Sequence, residues 1–406
     1  MANGSVSCFR FSKGCARLLA LFLCASLVFL NVGKVKADTR QGGDVFNQIK
    51  KPMPKLPPLS QEDFLAATKL IEKVPHGEKA LAYSMRIDKE WQEGRGGFST
   101  NFLLNEKIFL QLDTYVSRPT ISGRSRIEIE AMNIDENLSA EQWYISYILE
   151  DGITLEAFVT HSDKKVESLR VVMERDYSYY ERTLVVINGP KVIMVKYYVP
   201  IHYFQQQGPM QAKVLESFKI QHSQNKEEHE MLAYKFLDIA ELFYPEGWEI
   251  FKKPRARMEV TLAKVIHIKG SYGQSIGKKT EGRLYAMVDM IEQGALLEDD
   301  LDDYKEQIEI QGMLFGKKLE EDYVFKYPGN MKSTITEVYQ GVDSSNTQVE
   351  YELWVTAMRG GEYNYFILLV TPSRNEMFRV WASNTQAYKE VLENFRLSSG
   401  AFFRRD

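Results

Sequence analysis

Seven residues near the middle of the chain, Val214-Leu215-Glu216-Ser217-Phe218-Lys219-Ile220, return near its end as Val391-Leu392-Glu393-Asn394-Phe395-Arg396-Leu397. Four of the seven are identical and the other three keep their character. Self-similarity at this spacing points to two copies of one folding unit. The surroundings repeat as well. Before the first copy, the run 183–187 meets 192–195 across Asn188-Gly189; before the second, Val349, Tyr351, Leu353 and Val355 alternate with polar residues, and a turn at Gly360-Gly361 leads into the run 365–370. Asn-Gly and Gly-Gly supply the positive φ angles of tight hairpins. Each returning strand ends at a proline, Pro200 or Pro372, which cannot donate to a ladder.

Each half also has a helix further upstream. Ser139-Ala140-Glu141-Gln142 has the form of a capping box, with Tyr144, Tyr147 and Ile148 on one face until Gly152. The second half offers 300–311, with Leu301, Tyr304 and Ile308 on one face and Gly312 at the end. Each half opens on a strand that leads to a tryptophan: Leu81, Tyr83, Met85 and Ile87 before Trp91, then 239–243 before Trp248. The order strand, Trp, strands, helix, hairpin, final helix places the chain in the α+β class, with units at 80–221 and 232–398 and a polar linker at 222–231.

Ahead of the units lie other segments. The first 37 residues lack Asp and Glu and carry Arg10, Lys13 and Arg17 before an apolar run, 18–32. That run falls short of the roughly 20 apolar residues a spanning helix needs. Val35 and Ala37 put small residues at the places a signal peptidase reads, so 1–37 reads as a cleavable signal peptide. An uncleaved anchor is the alternative. Four prolines within 52–58 make 38–60 a tether of polyproline geometry. Ser60 then caps a helix that occupies 61–79, with Phe64, Ala67, Leu70, Ile71 and Val74 at helical spacing and a stop at Pro75 and Gly77. Residues 399–406 are a tail.

The order of elements, with Tyr244-Pro245-Glu246-Gly247-Trp248 after a first strand and a closing helix near Glu393 and Phe395, resembles the PsbP-like fold. The resemblance spans 80–220 and 232–398, and the second half matches it better. The first half has Asp88-Lys89-Glu90-Trp91 where the pattern calls for Pro and Gly. The family includes lumenal proteins of oxygenic photosystems, a Ran-binding import factor and exported bacterial proteins. It implies tandem units, each an antiparallel sheet flanked by helices, with roles in binding or assembly.

Composition and motifs then narrow the chemistry. All three cysteines, Cys8, Cys15 and Cys24, lie in the signal segment, so the mature part has no disulfide, thiolate metal site or cysteine nucleophile. Loss of that segment removes Arg10, Lys13, Arg17, Lys34 and Lys36 and takes the formal charge from -4 to -9. A chain so acidic lacks the basic footprint of a nucleic-acid binder. Gly273-Gln274-Ser275-Ile276-Gly277 matches the nucleophile elbow of serine hydrolases, but the last histidine, His267, precedes it, and the elbow needs its base downstream. The six histidines show no paired metal spacing, and the acids from Glu298 to Asp303 lack the glycine and distant Glu of a calcium loop and suit a helix start instead. No cofactor or metal is expected.

Two binding candidates stand out. Lys252, Lys253, Arg255 and Arg257 form the densest basic run, suited to an anionic partner, to peripheral contact with lipid head groups or to peptidoglycan. Tyr177, Tyr179 and Tyr180 occur together, with Tyr177 and Tyr179 on one side of a strand and Tyr180 on the other. The expectation is a non-enzymatic protein of the periplasm or the secreted space, acting on an envelope protein through protein–protein contacts. The alternatives are a carrier of a small apolar or amphipathic ligand in a cavity between sheet and helix, and a hydrolase acting through Ser275.

Overall fold

In the computed structural model, which describes residues 49–94, 109–118, 123–134, 137–174, 176–224, 231–252, 258–269, 275–319 and 325–398, both hairpins form at the turns that predict them. β8 (Tyr177–Asn188) returns as β9 (Lys191–Pro200), and β18 (Asn346–Gly360) as β19 (Tyr363–Pro372). Gly189 and Gly361 hold φ of 61° and 63°, the left-handed region that a two-residue loop requires.

Each hairpin is the centre of a seven-stranded antiparallel sheet. In the first half, β3 (Gln92–Glu93), β4 (Leu110–Val116), β5 (Arg126–Asn133), β6 (Ala157–Ser162) and β7 (Lys165–Glu174) join it in the order β3-β4-β5-β9-β8-β7-β6. In the second, β13 (Trp248–Lys252), β14 (Glu259–Lys269), β15 (Ser275–Met290), β16 (Met313–Leu319) and β17 (Ser333–Asp343) give β13-β14-β15-β19-β18-β17-β16. A three-stranded sheet accompanies each: β1 (Thr68–Lys73), β2 (Tyr83–Asp88) and β10 (Lys219–Ile220) in one half, β11 (Met231–Phe236), β12 (Ala240–Pro245) and β20 (Arg396–Leu397) in the other. Strand for strand the orders are the same. The chain is two tandem α+β units.

Five α-helices among the described residues complete the layers. α1 (Gln61–Ala67) precedes the first unit. α2 (Ala140–Glu150) and α3 (Phe204–Glu216) cover the two faces of the first large sheet, and α4 (Leu297–Ile310) and α5 (Phe378–Asn394) those of the second. The repeated motif explains itself here. Val214, Leu215 and Phe218, like Val391, Leu392 and Phe395, are buried, and the two residues after each phenylalanine add a short strand to β2 or β12. The motif therefore docks a final helix and closes a small sheet in both units. Fully burying each such side chain contributes about 1.5–3 kcal/mol. α2 starts at the expected box: Ser139 Oγ accepts from the Gln142 amide, and Gln142 Oε1 accepts from that of Ser139.

The structure corrects three expectations. The helix placed at 61–79 ends at Ala67, and Thr68 begins β1, which pairs along β2 from Thr68↔Asp88 to Lys73↔Tyr83. Helical spacing of apolar residues lost to pairing, because the alternately buried β2 needs hydrogen-bond partners on both edges. The linker at 222–231 already gives Met231 to β11, while 225–230 lie outside the described residues. The tether is no free spacer over its described part. Lys51 carbonyl accepts from the Phe158 amide at 2.8 Å, capping the β6 edge, and Met53, Leu56 and Leu59 pack on the first core. Polyproline II has three residues per turn, so these three apolar side chains share one face. The signal segment and the 399–406 tail lie outside the described residues.

Candidate functional site

Alternate residues of the central strands of the first sheet face α2. They are Arg126, Glu128 and Glu130 on β5, Lys196 and Tyr198 on β9, Tyr177, Tyr179, Glu181 and Thr183 on β8, and Ser168 and Arg170 on β7. Ionisable groups thus occupy the middle of a sheet. Lys196 Nζ lies 2.7 Å from Glu130 Oε2, with side chains only 6% and 3% exposed. Arg170 grips Glu181 bidentately, Nε to Oε1 at 2.8 Å and Nη2 to Oε2 at 2.7 Å, and the Thr183 hydroxyl donates to the same carboxylate. Burial opposes the Glu181 charge, but Arg170 and then Lys196 outweigh it and hold its pKa below the ordinary value. Burial also opposes the Lys196 charge, and Glu130 overrides it and raises that pKa. Tyr144 of α2 shares a 2.7 Å hydrogen bond with Ser168, and burial pushes its phenol up to about 12.

Toward the β7–β8 turn the charges come to the surface. The Arg126 guanidinium lies 3.7 Å from the ring centre of Tyr198 and 5.2 Å from that of Tyr179. It donates to Glu128 at 2.7 Å and pairs with Glu174. Past this clasp Met173, Val171 and Tyr177 are 79%, 42% and 39% exposed. Tyr177 shares the face of the oriented arginine and Met173 and Val171 lie on the other face of the tip, a composition suited to a protein interface.

The second unit provides an internal control, because the hairpins match residue for residue from turn to proline. By register, Glu181 and its partner Tyr198 stand where Leu353 and Val370 stand, and Thr183 and Lys196 where Val355 and Leu368 stand. Glu130 and Arg170 likewise occupy the places of Met287 and Tyr339. Those residues form an apolar core under α4. The second unit therefore carries no charge at these positions, its own ion cluster of Glu337, Lys305 and Lys318 lying toward the sheet edge, and the first unit carries an ionic network there that the architecture does not require.

The tyrosines singled out in the sequence divide as alternation predicts: Tyr177 is exposed, Tyr180 half-buried and Tyr179 buried. Tyr179 is buried against Arg126 and Tyr198, and Tyr180 packs on Phe204 with ring centres 4.1 Å apart. Tyr177 remains at the hairpin tip. Lys252 closes β13, with its side chain outside the described residues, as are Lys253, Arg255 and Arg257 altogether. Ser275 opens the sixteen-residue strand β15. A nucleophile elbow needs a helix after its serine, so the hydrolase reading fails on geometry. Among the described residues no group of three or more His, Cys, Asp or Glu could hold a metal ion, and no helix is long and apolar enough to cross a membrane.

Inspection of the sequence passed over Glu130, Arg170, Glu181 and Lys196. Their signal lay in the repeat: aligning the two hairpins from their turns sets each of the hairpin charges, Glu181 and Lys196, against a leucine. A second polar cluster was also missed. Tyr83 donates to Asp113 at 2.6 Å and lies 3.2 Å from the Tyr115 hydroxyl, beside an irregularity in β4 between Gln111 and Asp113. Burial raises the Asp113 pKa despite the Tyr83 hydrogen bond. The second unit has Ala240 in the place of Tyr83.

In the second unit, Lys305 of α4 donates to Glu337 and to the Tyr339 hydroxyl, both at 3.2 Å, and Lys318 also donates to Glu337. Burial works against the Glu337 charge, but the bonds from Lys318, Tyr339 and Lys305 bring its pKa down to about 2. A depressed carboxyl pKa stabilises the fold fully above the unfolded value of about 4.5 and ceases to do so as pH falls through about 2. Wild type should therefore be more stable than Glu337→Gln at pH 7, with the gap closing between about pH 4.5 and 2 in acid-dependent denaturation curves. A gap that stays constant over that window would contradict the assignment.

No family model matches the chain, and no curated protein matches it. Solved structures similar to it include the Ran-binding protein Mog1p of Saccharomyces cerevisiae, 13% identical with a TM-score of 0.31, covering 43% of this chain and 100% of that one. They include a PsbP of the cyanobacterium Synechocystis sp. PCC 6803, 10% identical with a TM-score of 0.28, covering 38% of this chain and 93% of that one. A third is LpqN of Mycobacterium tuberculosis, involved in cell envelope biogenesis, 9% identical with a TM-score of 0.25, covering 40% and 98%. A PsbP, from the family that the sequence resembles, is thus among them.

Proposed function

We propose that the chain is an exported, non-enzymatic binding or assembly protein that engages an envelope protein through the β7–β8 hairpin tip of its first unit. The observation that carries this reading is the buried network of Glu130, Lys196, Arg170 and Glu181 at positions where the second unit is apolar. Buried ion pairs contribute little net stability, whereas they fix geometry well. Here they hold β7, β8 and β9 in one arrangement and set the Arg126 clasp beside Tyr177, with Met173 on the other face of the same tip. The basic, acid-free start and the short apolar run support export, and the acidic mature charge suits a soluble protein of the periplasm or beyond.

A photo-reactive residue at position 173 of the full chain, expressed in its own host, tests the contact. The expected result is one adduct of discrete mass, diminished at least tenfold by Tyr177→Ala and absent when the probe sits at Lys279 of β15. An adduct at neither position, or the same adducts at both, would overturn the reading. Mass spectrometry of the same protein is expected to find Asp38 as the first residue, and retention of residues 1–37 would contradict cleavage.

A further inference from the structure

α2 and α4 are the same helix in two copies. Each ends at a glycine in the left-handed region, Gly152 with φ 62° and Gly312 with φ 98°. Aligned on those glycines, Tyr144 matches Tyr304 and Ile148 matches Ile308. All four are buried; Tyr144 meets Ser168 of its own sheet, and Tyr304 stacks on Phe366 at 4.8 Å.

Their outer sides differ. Every residue of α2 from Gln142 to Ile148 is buried, which a helix on one sheet face does not achieve alone. The cover comes from α5 of the second unit, which packs on α2, and from Phe109, whose ring meets Trp143 and Tyr147 edge-on. Asn137, just before α2, donates to Glu390 near the end of α5, and Glu150 at the end of α2 lies 3.9 Å from Arg379 near the start of α5. The two helices therefore run antiparallel. On α4 only Leu297, Leu301, Tyr304 and Ile308 are buried. Asp302, Asp303 and Glu306, which match the buried Gln142, Trp143 and Ser146, are exposed.

This outer ridge of α4 is not explained by the stability of the helix. Asp299 and Asp303, like Asp302 and Glu306, stand four residues apart and repel, although Lys305 meets Asp302 at 2.6 Å. The last turn carries Glu309 and no basic residue, against the helix dipole. Ile310 is 86% exposed on the same side. An acidic ridge ending in an apolar spot remains uncovered on the helix whose twin is covered by a helix.

We propose that this face docks a basic amphipathic helix of a partner protein, laid on α4 as α5 is laid on α2. Charge selects the occupant: cations complement the ridge, and an apolar side chain of the incoming helix meets Ile310. A second copy of this chain would offer α3, the counterpart of α5. That helix has Lys213 as its one basic residue, and Leu56 of the proline segment packs at its Gly208. The proposal rests on the reading of the chain as a protein-binding protein, but it concerns the other unit.

The probe is a synthetic amphipathic helix with lysines flanking a leucine stripe, titrated into the full mature chain at physiological salt, with a glutamate-substituted peptide as control. Binding of the lysine peptide is expected to weaken at least tenfold in the triple variant Asp302→Asn, Asp303→Asn, Glu306→Gln, and separately in Ile310→Asp, with Met173→Glu unchanged. Equal binding to the neutralised ridge would overturn the proposal, as would loss of binding in Met173→Glu alone. Self-association in sedimentation that the Ile310→Asp variant abolishes would also overturn it, by naming a second copy as the occupant. The hairpin reading stands or falls separately on the adduct at position 173.

Discussion

Lys196→Leu alone is expected to lower the unfolding free energy by about 3–5 kcal/mol, because it strands the Glu130 carboxylate inside the sheet. Glu130→Met added to it is expected to recover most of that loss. The second unit supplies both replacements at the same register positions, Met287 and Leu368, where they pack under α4. The comparison is thus between one broken ion pair and one apolar pair already accommodated by the same architecture. Charge removal in a pair is non-additive when the partners touch, and here they lie 2.7 Å apart. Equilibrium denaturation of the wild type, the single variant and the double variant measures the coupling. A double variant no more stable than Lys196→Leu would show that the network is needed by the fold itself. Recovered stability together with loss of the position-173 adduct would show that the ions arrange the hairpin tip for binding.

Local signals with a geometric cause were legible in the sequence. Asn188-Gly189 and Gly360-Gly361 fix their hairpins because two-residue loops demand positive φ, and Ser139 with Gln142 fixes the start of α2 because the two side chains answer each other's amides. The closing motif was legible because burial of Val214, Leu215 and Phe218 constrains both copies alike. What the sequence concealed depends on partners distant along the chain. Thr68 to Lys73 satisfy helical spacing, yet β2 claims them as a strand. Met53, Leu56 and Leu59 read as linker residues until a core is present to receive every third side chain. Tyr179 and Tyr180 read as interface residues, but Arg126 and Phe204, from other elements, draw them inside. The ion pairs were hidden for the same reason: Glu130 and Lys196 lie far apart in sequence and meet only through the β5–β9 register.

The seam between units leads to the remaining expectation. Arg374 stands just before α5, and its guanidinium holds Glu352 of β18, Nε to Oε1 at 2.7 Å and Nη2 to Oε2 at 2.8 Å. The Arg374 amide also donates to that carboxylate, as does Trp381 Nε1 of α5 at 2.7 Å, and the guanidinium lies 4.4 Å from the Trp381 ring centre. α5 begins without a side-chain cap, so this lock fixes where the helix starts. Arg374→Leu leaves Glu352 buried with indole and main-chain amide donors but no cation, and is expected to cost about 3–5 kcal/mol. Its consequence should travel in one direction. α5 is the cover of α2, whereas α4 lies on the opposite face of the second sheet. Hydrogen exchange is therefore expected to quicken in α5 and in α2 across the seam, with α4 little changed. Faster exchange in α5 with α2 unaltered would show that the two units do not lean on one another there. Faster exchange in α4 to the same extent would mean that the whole second unit had loosened and that the lock has no special hold on the seam.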